Sequence, residues 1–315
     1  MATTTPTTAA VAPAALLPTR QPESLWRQAT RAFFRQRSAV IGLTIIILLV
    51  LISIFAPLLA PYDPEQVLIG VEDVQKRSAP CVHAFGCPST QPQHIMGTDG
   101  NNRDELSRII YGARISLYVG LITVGFAIIV GVLLGALAGY VGGWFDNLVM
   151  RILDVLLAFP ALLLAIAIVS VLGPGLINAM LAIAIVSIPA YARVMRASVL
   201  SVKQEEFVQA ARVVGAGPVA ILFQHVLPNA ISPLIVQGTL GIGTAILETA
   251  ALSFLGLGAQ PPTPEWGSML SAERNQLFSA PFLVFFPGLA IMVNVLGFNL
   301  LGDGLRDALD PRLRR

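Results

Sequence analysis

Charge is scarce in this chain: only 12% of its 315 residues are Asp, Glu, Lys or Arg. A water-exposed domain carries roughly 25%, so a soluble enzyme is excluded. Lysine is scarcer still, with Lys76 and Lys203 alone, and neither follows a glycine. A phosphate-binding loop ends in Gly-Lys-Ser/Thr so that the ammonium reaches the nucleotide phosphates; with no such sequence here, any ATP hydrolysis belongs to another polypeptide. His-Glu-x-x-His and Gly-x-Ser-x-Gly are also missing, which removes the zinc-protease and serine-hydrolase readings. A formal net charge of +2 is too small to argue for nucleic acid. The 22 prolines and 27 glycines are scattered among apolar runs, unlike a collagen or a disordered chain.

What is present is hydrocarbon. Hydrophobic residues make up 55% of the chain, and Ala39 to Ala60 is 22 residues without a charge. At about 1.5 Å per residue such a run covers the roughly 30 Å core of a bilayer. Ile115 to Phe145 is charge-free as well, with its apolar body ending near Tyr140. No charge appears between Asp154 and Arg193, and Gly173-Pro174-Gly175 divides that stretch into two, near Leu148–Leu172 and Leu176–Tyr191. Two more runs lie near Asn229–Gly256 and Pro281–Gly302, so the expectation is six transmembrane helices. Runs this long without period-two alternation are helices rather than barrel strands, which makes this an all-α, multi-pass membrane protein.

Lys and Arg set the orientation. With the N-terminus inside, 14 of them fall in inner segments and 6 in outer ones, so the positive-inside rule puts both termini in the cytoplasm. Residues 1–25 read as a flexible Thr/Ala/Pro-rich tail. A cleaved signal peptide is the competing reading of the first run. Its 22 residues exceed the usual stretch of about 7 to 15, and a basic segment precedes them, so a retained signal anchor is expected.

The longest outer connection spans 61–107 and holds both cysteines, Cys81 and Cys87. Thiols outside the cytoplasm tend to be oxidised, and two that close a short loop suit a disulfide. Free thiols are one alternative. A metal site drawing on His83 and His94 is another, disfavoured because zinc usually takes tighter Cys-x-x-Cys spacing.

The inner segment 198–228 is the most informative. Val202, Phe207, Ala210, Ala211 and Val214 recur at three- and four-residue steps, which suits a helix with one apolar face. Gly215-Ala216-Gly217 stops it, and Pro218 can open a second short helix. The expectation is a helix-turn-helix elbow projecting from the bilayer, against the plainer reading of an amphipathic helix lying on the membrane surface.

Gln209-Ala210-Ala211-x-x-x-Gly215, followed by His225-x-Leu227-Pro228, resembles the "EAA" loop of permease subunits of binding-protein-dependent ABC importers. Gln209 stands where that family usually has Glu, just after Glu205 and Glu206. Gly97-Thr98-Asp99, Arg103-Asp104, Ser107-Arg108 and Tyr111 through Leu117 are similar to the dipeptide and oligopeptide branch, with Asn102 at a position usually glycine there. Gly139-Tyr140, Met150-Arg151, Asp154, Glu248 and Leu252 through Gly258 also fit that branch.

The resemblance implies a type I (MetI-like) importer permease fold. Its divisions are an N-terminal region over 26–112 with the first span at 39–60, a transmembrane core over 113–303 and a cytoplasmic tail over 304–315. It implies an inner-membrane permease, not itself an enzyme, that binds no cofactor. Di- or oligopeptides are the implied cargo, while relatives in the branch carry nickel, glutathione or oligosaccharides. The implied partners are a second homologous permease, two cytoplasmic ATPase subunits holding ATP and Mg2+, and an extracytoplasmic solute-binding protein.

The residues implied to couple to the ATPase are Glu206, Gln209, Ala210, Ala211, Gly215, Ala216, His225, Leu227 and Pro228. Glu248, alone within an uncharged span, either bonds structurally at the interface with the second permease or lines the pathway. Asp146, Arg151 and Asp154 are expected to make polar contacts at the cytoplasmic boundary, with the ATPase among the candidates. Asp99, Arg103 and Asp104 are expected to meet the binding protein or the second permease. Small residues at Ala127, Gly131, Gly135 and Gly139 predict close helix packing. The rival class is a secondary transporter, which usually shows several midplane ionisable groups and broken helices.

Overall fold

The computed structural model describes residues 30–309, Ala32 excepted. The expected tail at 1–25 and the terminal Arg312, Arg314 and Arg315 lie outside the described residues. The helices that build the fold are α1 (Arg37–Ile54), α2 (Glu105–Val141), α3 (Gly143–Leu157), α4 (Ala161–Leu172), α5 (Leu176–Val202), α6 (Glu206–Val213), α7 (Ser232–Phe254), α8 (Trp266–Glu273) and α9 (Phe282–Leu309). Five are long and apolar enough to cross a membrane, and a bent pair, α3 with α4, brings the total to six.

That pair departs from the single straight helix expected near Leu148–Leu172. α3 and α4 meet at 89°, and the break falls on Ala158-Phe159-Pro160. Proline has no N–H to continue the ladder, and its ring drives the preceding residue out of the helical region. The 12 residues of α4 rise only about 18 Å, too short to cross alone.

α2 begins ten residues before the expected Ile115, because Asp104 caps it: the carboxylate accepts the Ser107 backbone N–H at 2.8 Å and the Ser107 hydroxyl at 2.6 Å. Its 37 residues reach about 55 Å, so its first turns stand clear of the bilayer and carry the long connection after α1. α2 and α5 share the largest helix contact. It runs along the predicted small-residue seam, where a methyl on Gly131 would strike Tyr191 and one on Gly135 would overlap the Ala192 backbone. α9 packs against both α1 and α7, with Gly304 seated on Ala39 and Gly297 on Ile45. Small residues let helix backbones approach where no water is present to drive association.

Candidate functional site

The elbow follows α5 directly. Lys203 ends α5 and donates to the Gly139 carbonyl at 2.7 Å, tying the exit of α5 to the end of α2. α6 then stops in a Schellman turn. Gly215 takes a left-handed φ of 90°, its N–H donates to Arg212 O, and the Ala216 N–H donates to Ala211 O, both at 3.0 Å. Pro218 opens the next short turn, Pro218–Ala220, as its spacing predicted. A π-helical turn over Ile221–Val226 and a last helical turn over Leu227–Ala230 lead into α7.

The anchor of this elbow is not the stripe expected from periodicity. Val208 is fully buried and joins Val199, Ile221, Leu222 and Val226 in the main core. Phe207, Ala210 and Val214 point outward instead. The helix is rotated so that one small branched side chain fills the bundle and the larger ones face away. Val213 and Val214 are 87% and 88% exposed, and Val219 and Phe223 stand out beside them. An apolar patch of this kind on a polar surface marks an interaction site. Among the expected coupling residues, Glu206, Gln209, Ala210, Gly215 and Pro228 are exposed, and Ala211, Ala216, His225 and Leu227 are half-buried. Val213, Val219 and Phe223 lie on three successive elements, α6, the Pro218–Ala220 turn and the π-helical turn, so no single helical period links them.

The boundary charges are satisfied within the chain. Arg196 holds Asp146 in a two-pronged pair at 2.5 and 2.6 Å, and Arg193 reaches Asp154 at 2.5 Å. Both arginines lie on α5 and both aspartates on α3, so each pair joins α3 to α5. Arg151 is exposed. Glu248 lies half-buried on α7 with no hydrogen bond or ion pair among the described residues.

At the opposite end, residues 61–104 fold into a cap on the first turns of α2. Asp99, Arg103 and Asp104, expected as docking groups, are all buried. Asp99 accepts the Arg103 guanidinium at 2.7 Å and the backbone N–H groups of Asn101 and Arg103 at 2.8 and 2.9 Å. Arg108 donates to the carbonyls of Pro64 at 2.8 Å and Pro262 at 3.2 Å. Glu273 accepts from Arg77 and from the Gly100 N–H, both at 2.8 Å. Asn102, at the position usually glycine in the resembling branch, has a left-handed φ of 55°, which asparagine tolerates better than most residues.

His94 sits at the centre of the cap, 2% exposed, stacked on the Tyr62 ring. Its Nδ1 lies 2.8 Å from Asp104 and its Nε2 3.2 Å from Glu72. A neutral imidazole has one N–H to donate, so bonds to two carboxylates call for the imidazolium. Burial by itself pushes the His94 pKa down, but the hydrogen bond and charge of Asp104, joined by Glu72, carry it above the ordinary value. Burial and Glu72 push the Tyr62 hydroxyl up to about 12. His94 is thus held by Asp104 and Glu72, and His83 bonds the Gln91 carbonyl at 2.8 Å. Cys81 and Cys87 are bonded to each other, Cα atoms 5.4 Å apart, on the rim of a cleft of about 900 Å³.

A multi-pass helical bundle with an exposed apolar elbow after α5 defines a polytopic membrane protein. The family model for the inner membrane component of binding-protein-dependent transport systems matches residues 131–315, and that for the N-terminal transmembrane domain of oligopeptide transport permease C matches 24–80. The chain is 51% identical over 296 residues to the dipeptide transport system permease protein DppC of Alkalihalophilus pseudofirmus, covering 92% of this chain and 91% of that one. It is 48% identical to the di/tripeptide permease protein DppC of Pseudomonas aeruginosa, covering 90% and 91%. It is 46% identical to the glutathione permease protein GsiD of Escherichia coli, covering 92% and 91%. An inward-facing structure of the MetNI methionine ABC transporter aligns with a TM-score of 0.54 at 18% identity, over 64% of this chain and 97% of that one, which establishes the shared fold. The chain belongs to the family of inner-membrane permease components of binding-protein-dependent ABC importers.

Proposed function

We propose that this chain is one of two transmembrane subunits that carry di- or oligopeptides inward across the cytoplasmic membrane, with both of its termini in the cytoplasm. The observation that carries the reading is the elbow. Val213, Val214, Val219 and Phe223 are held bare at a polar boundary by a turn that Gly215 closes and Val208 anchors. Such a surface fits a groove on a cytoplasmic ATPase subunit. A second, homologous permease forms the other half of the path, and a soluble binding protein delivers cargo from outside.

The chain is not an enzyme by this reading. ATP and Mg2+ bind in the two ATPase subunits, which close on nucleotide and draw the elbows together. Because nucleotide binds the closed arrangement more tightly, it shifts the population between outward-open and inward-open states. Nothing in the path forms a bond with the cargo.

The test is transport by the reconstituted complex. Proteoliposomes holding both permeases and both ATPases, supplied with the binding protein, take up labelled dipeptide only with ATP inside the cytoplasmic compartment. Glutathione, itself a tripeptide, is measured alongside because a relative is named for it. Gly215→Glu has open space for its side chain, yet it puts a charge on the docking face and a Cβ at positive φ. The variant inserts in the membrane, and ATP hydrolysis no longer drives uptake; normal uptake by it refutes the elbow's role.

A further inference from the structure

One side of α7 is only partly covered by the chain, where Leu240 meets Gly302 of α9. Leu234, Gly238, Ala245, Thr249 and Leu252 face the other helices. Pro233, Gln237, Leu240, Thr244 and Glu248 recur at three- and four-residue steps along the opposite side and remain exposed or half-buried. At the elbow end this side forms the floor of a groove of about 460 Å³, which Val194 of α5 and Arg306 of α9 help to wall. Glu248 stands eight residues beyond Leu240 on the same side, about 12 Å further along the helix.

Glu248 and Arg306, of opposite sign, both remain without a hydrogen bond or ion pair among the described residues. A carboxylate turned toward lipid is costly. The Thr244 hydroxyl is no help to it, being bonded to the Leu240 carbonyl at 3.3 Å. The side of α7 that carries Glu248 is thus turned away from hydrocarbon, and its charge needs a cation.

Resting on the peptide-permease reading, we propose that Glu248 lines the translocation path and pairs with the free α-ammonium of each passing peptide, with Arg306 meeting the carboxylate near the inner end. The two termini are the groups every peptide shares, so a path that recognises them passes many side chains without binding any one tightly. One carboxylate in an otherwise apolar stretch attracts the ammonium and still lets it leave, since no second anion holds it there.

The experiment uses the whole complex in proteoliposomes with binding protein loaded with labelled Ala-Ala. Glu248→Gln lowers the maximal uptake rate at least about tenfold, with the half-saturating concentration of loaded binding protein unchanged, and Glu248→Asp stays within about threefold of wild type. The thiol of Glu248→Cys reacts from water with a methanethiosulfonate reagent, and Ala-Ala turnover slows the reaction. Uptake by Glu248→Gln at the wild-type rate, or a Glu248→Cys thiol that water-borne reagents cannot reach, overturns the assignment and leaves the peptide reading standing. Failure of the wild-type complex to take up Ala-Ala overturns both, so the two failures are told apart.

Discussion

The cap over α2 satisfies its charges internally, whereas the elbow after α5 leaves its apolar side chains bare. In the cap, Asp99, Arg103, Asp104, Arg108 and Glu273 are buried and joined to one another, to backbone groups or to Arg77. In the elbow, Val213 and Val214 are almost wholly exposed, while one valine, Val208, is fully buried. Residues that look functional because they are polar are structural at one end. Residues that look unremarkable because they are apolar stand bare at the other. The physical reason is the same at both ends: a buried charge must be paired, and an exposed apolar patch is stable only against another surface.

The comparison breaks most readily at Asp104. Asp104→Ala removes the α2 cap and leaves His94 and Ser107 without their acceptor. Breaking a buried pair from one side costs about 3–5 kcal/mol, so the variant's thermal midpoint in detergent drops steeply. A midpoint within about 2 °C of wild type would show that the cap is not held by this group.

The elbow is expected to respond the opposite way. Val213→Asp with Val214→Asp replaces two exposed side chains, so the stability of the isolated subunit changes by no more than about 0.5 kcal/mol per site. The same variant fails to co-purify with the ATPase subunits and supports no uptake. A large fall in the subunit's own stability would mean that these valines pack inside the fold.

A third difference is in pH. His94 has a folded pKa above its unfolded value. Its contribution to the cap is therefore complete below the ordinary imidazole pKa of about 6.5 and is lost as pH rises through the raised folded value. Thermal stability of the wild type is expected to decline as pH rises through that window, with Asp104, Glu72 and Tyr62 the groups facing the ring. In His94→Gln the decline is absent; an identical slope in both proteins assigns the effect elsewhere.

The smallest effect is expected for Arg193→Ala. Its pair with Asp154 is half exposed on both sides, and such pairs contribute about 1 kcal/mol or less. Double-mutant coupling well above that value would show the bend between α3 and α4 to be clamped from this point.

Much of the fold was readable along the chain. The charge-free runs located five long helices and the segment that became the bent pair, and Gly215-Ala216-Gly217-Pro218 placed the elbow's turn. These features are local: the length of an apolar run and the backbone freedom of glycine and proline act without reference to distant residues. The 89° break has its residue, Pro160, in the sequence, but an apolar run as long as a bilayer span hides an internal stop. The candidate site was harder. Glu248 stood out because a carboxylate is rare in a span, whereas Val213, Val219 and Phe223 gave no signal among so many apolar neighbours.

By itself the sequence determined that this protein lives in a membrane and that a helical elbow follows the α5 segment. Composition and turn-forming residues decide those things one segment at a time. Only the tertiary structure decided which polar residues serve the fold and which side of each helix is left open. Asp104 and His94 are ten residues apart and Arg77 and Glu273 are separated by 196, and the α7 side bearing Glu248 is defined by what α2, α5 and α9 do not cover. Burial is set by neighbours across the whole bundle, and a side chain's role follows from what remains to satisfy it.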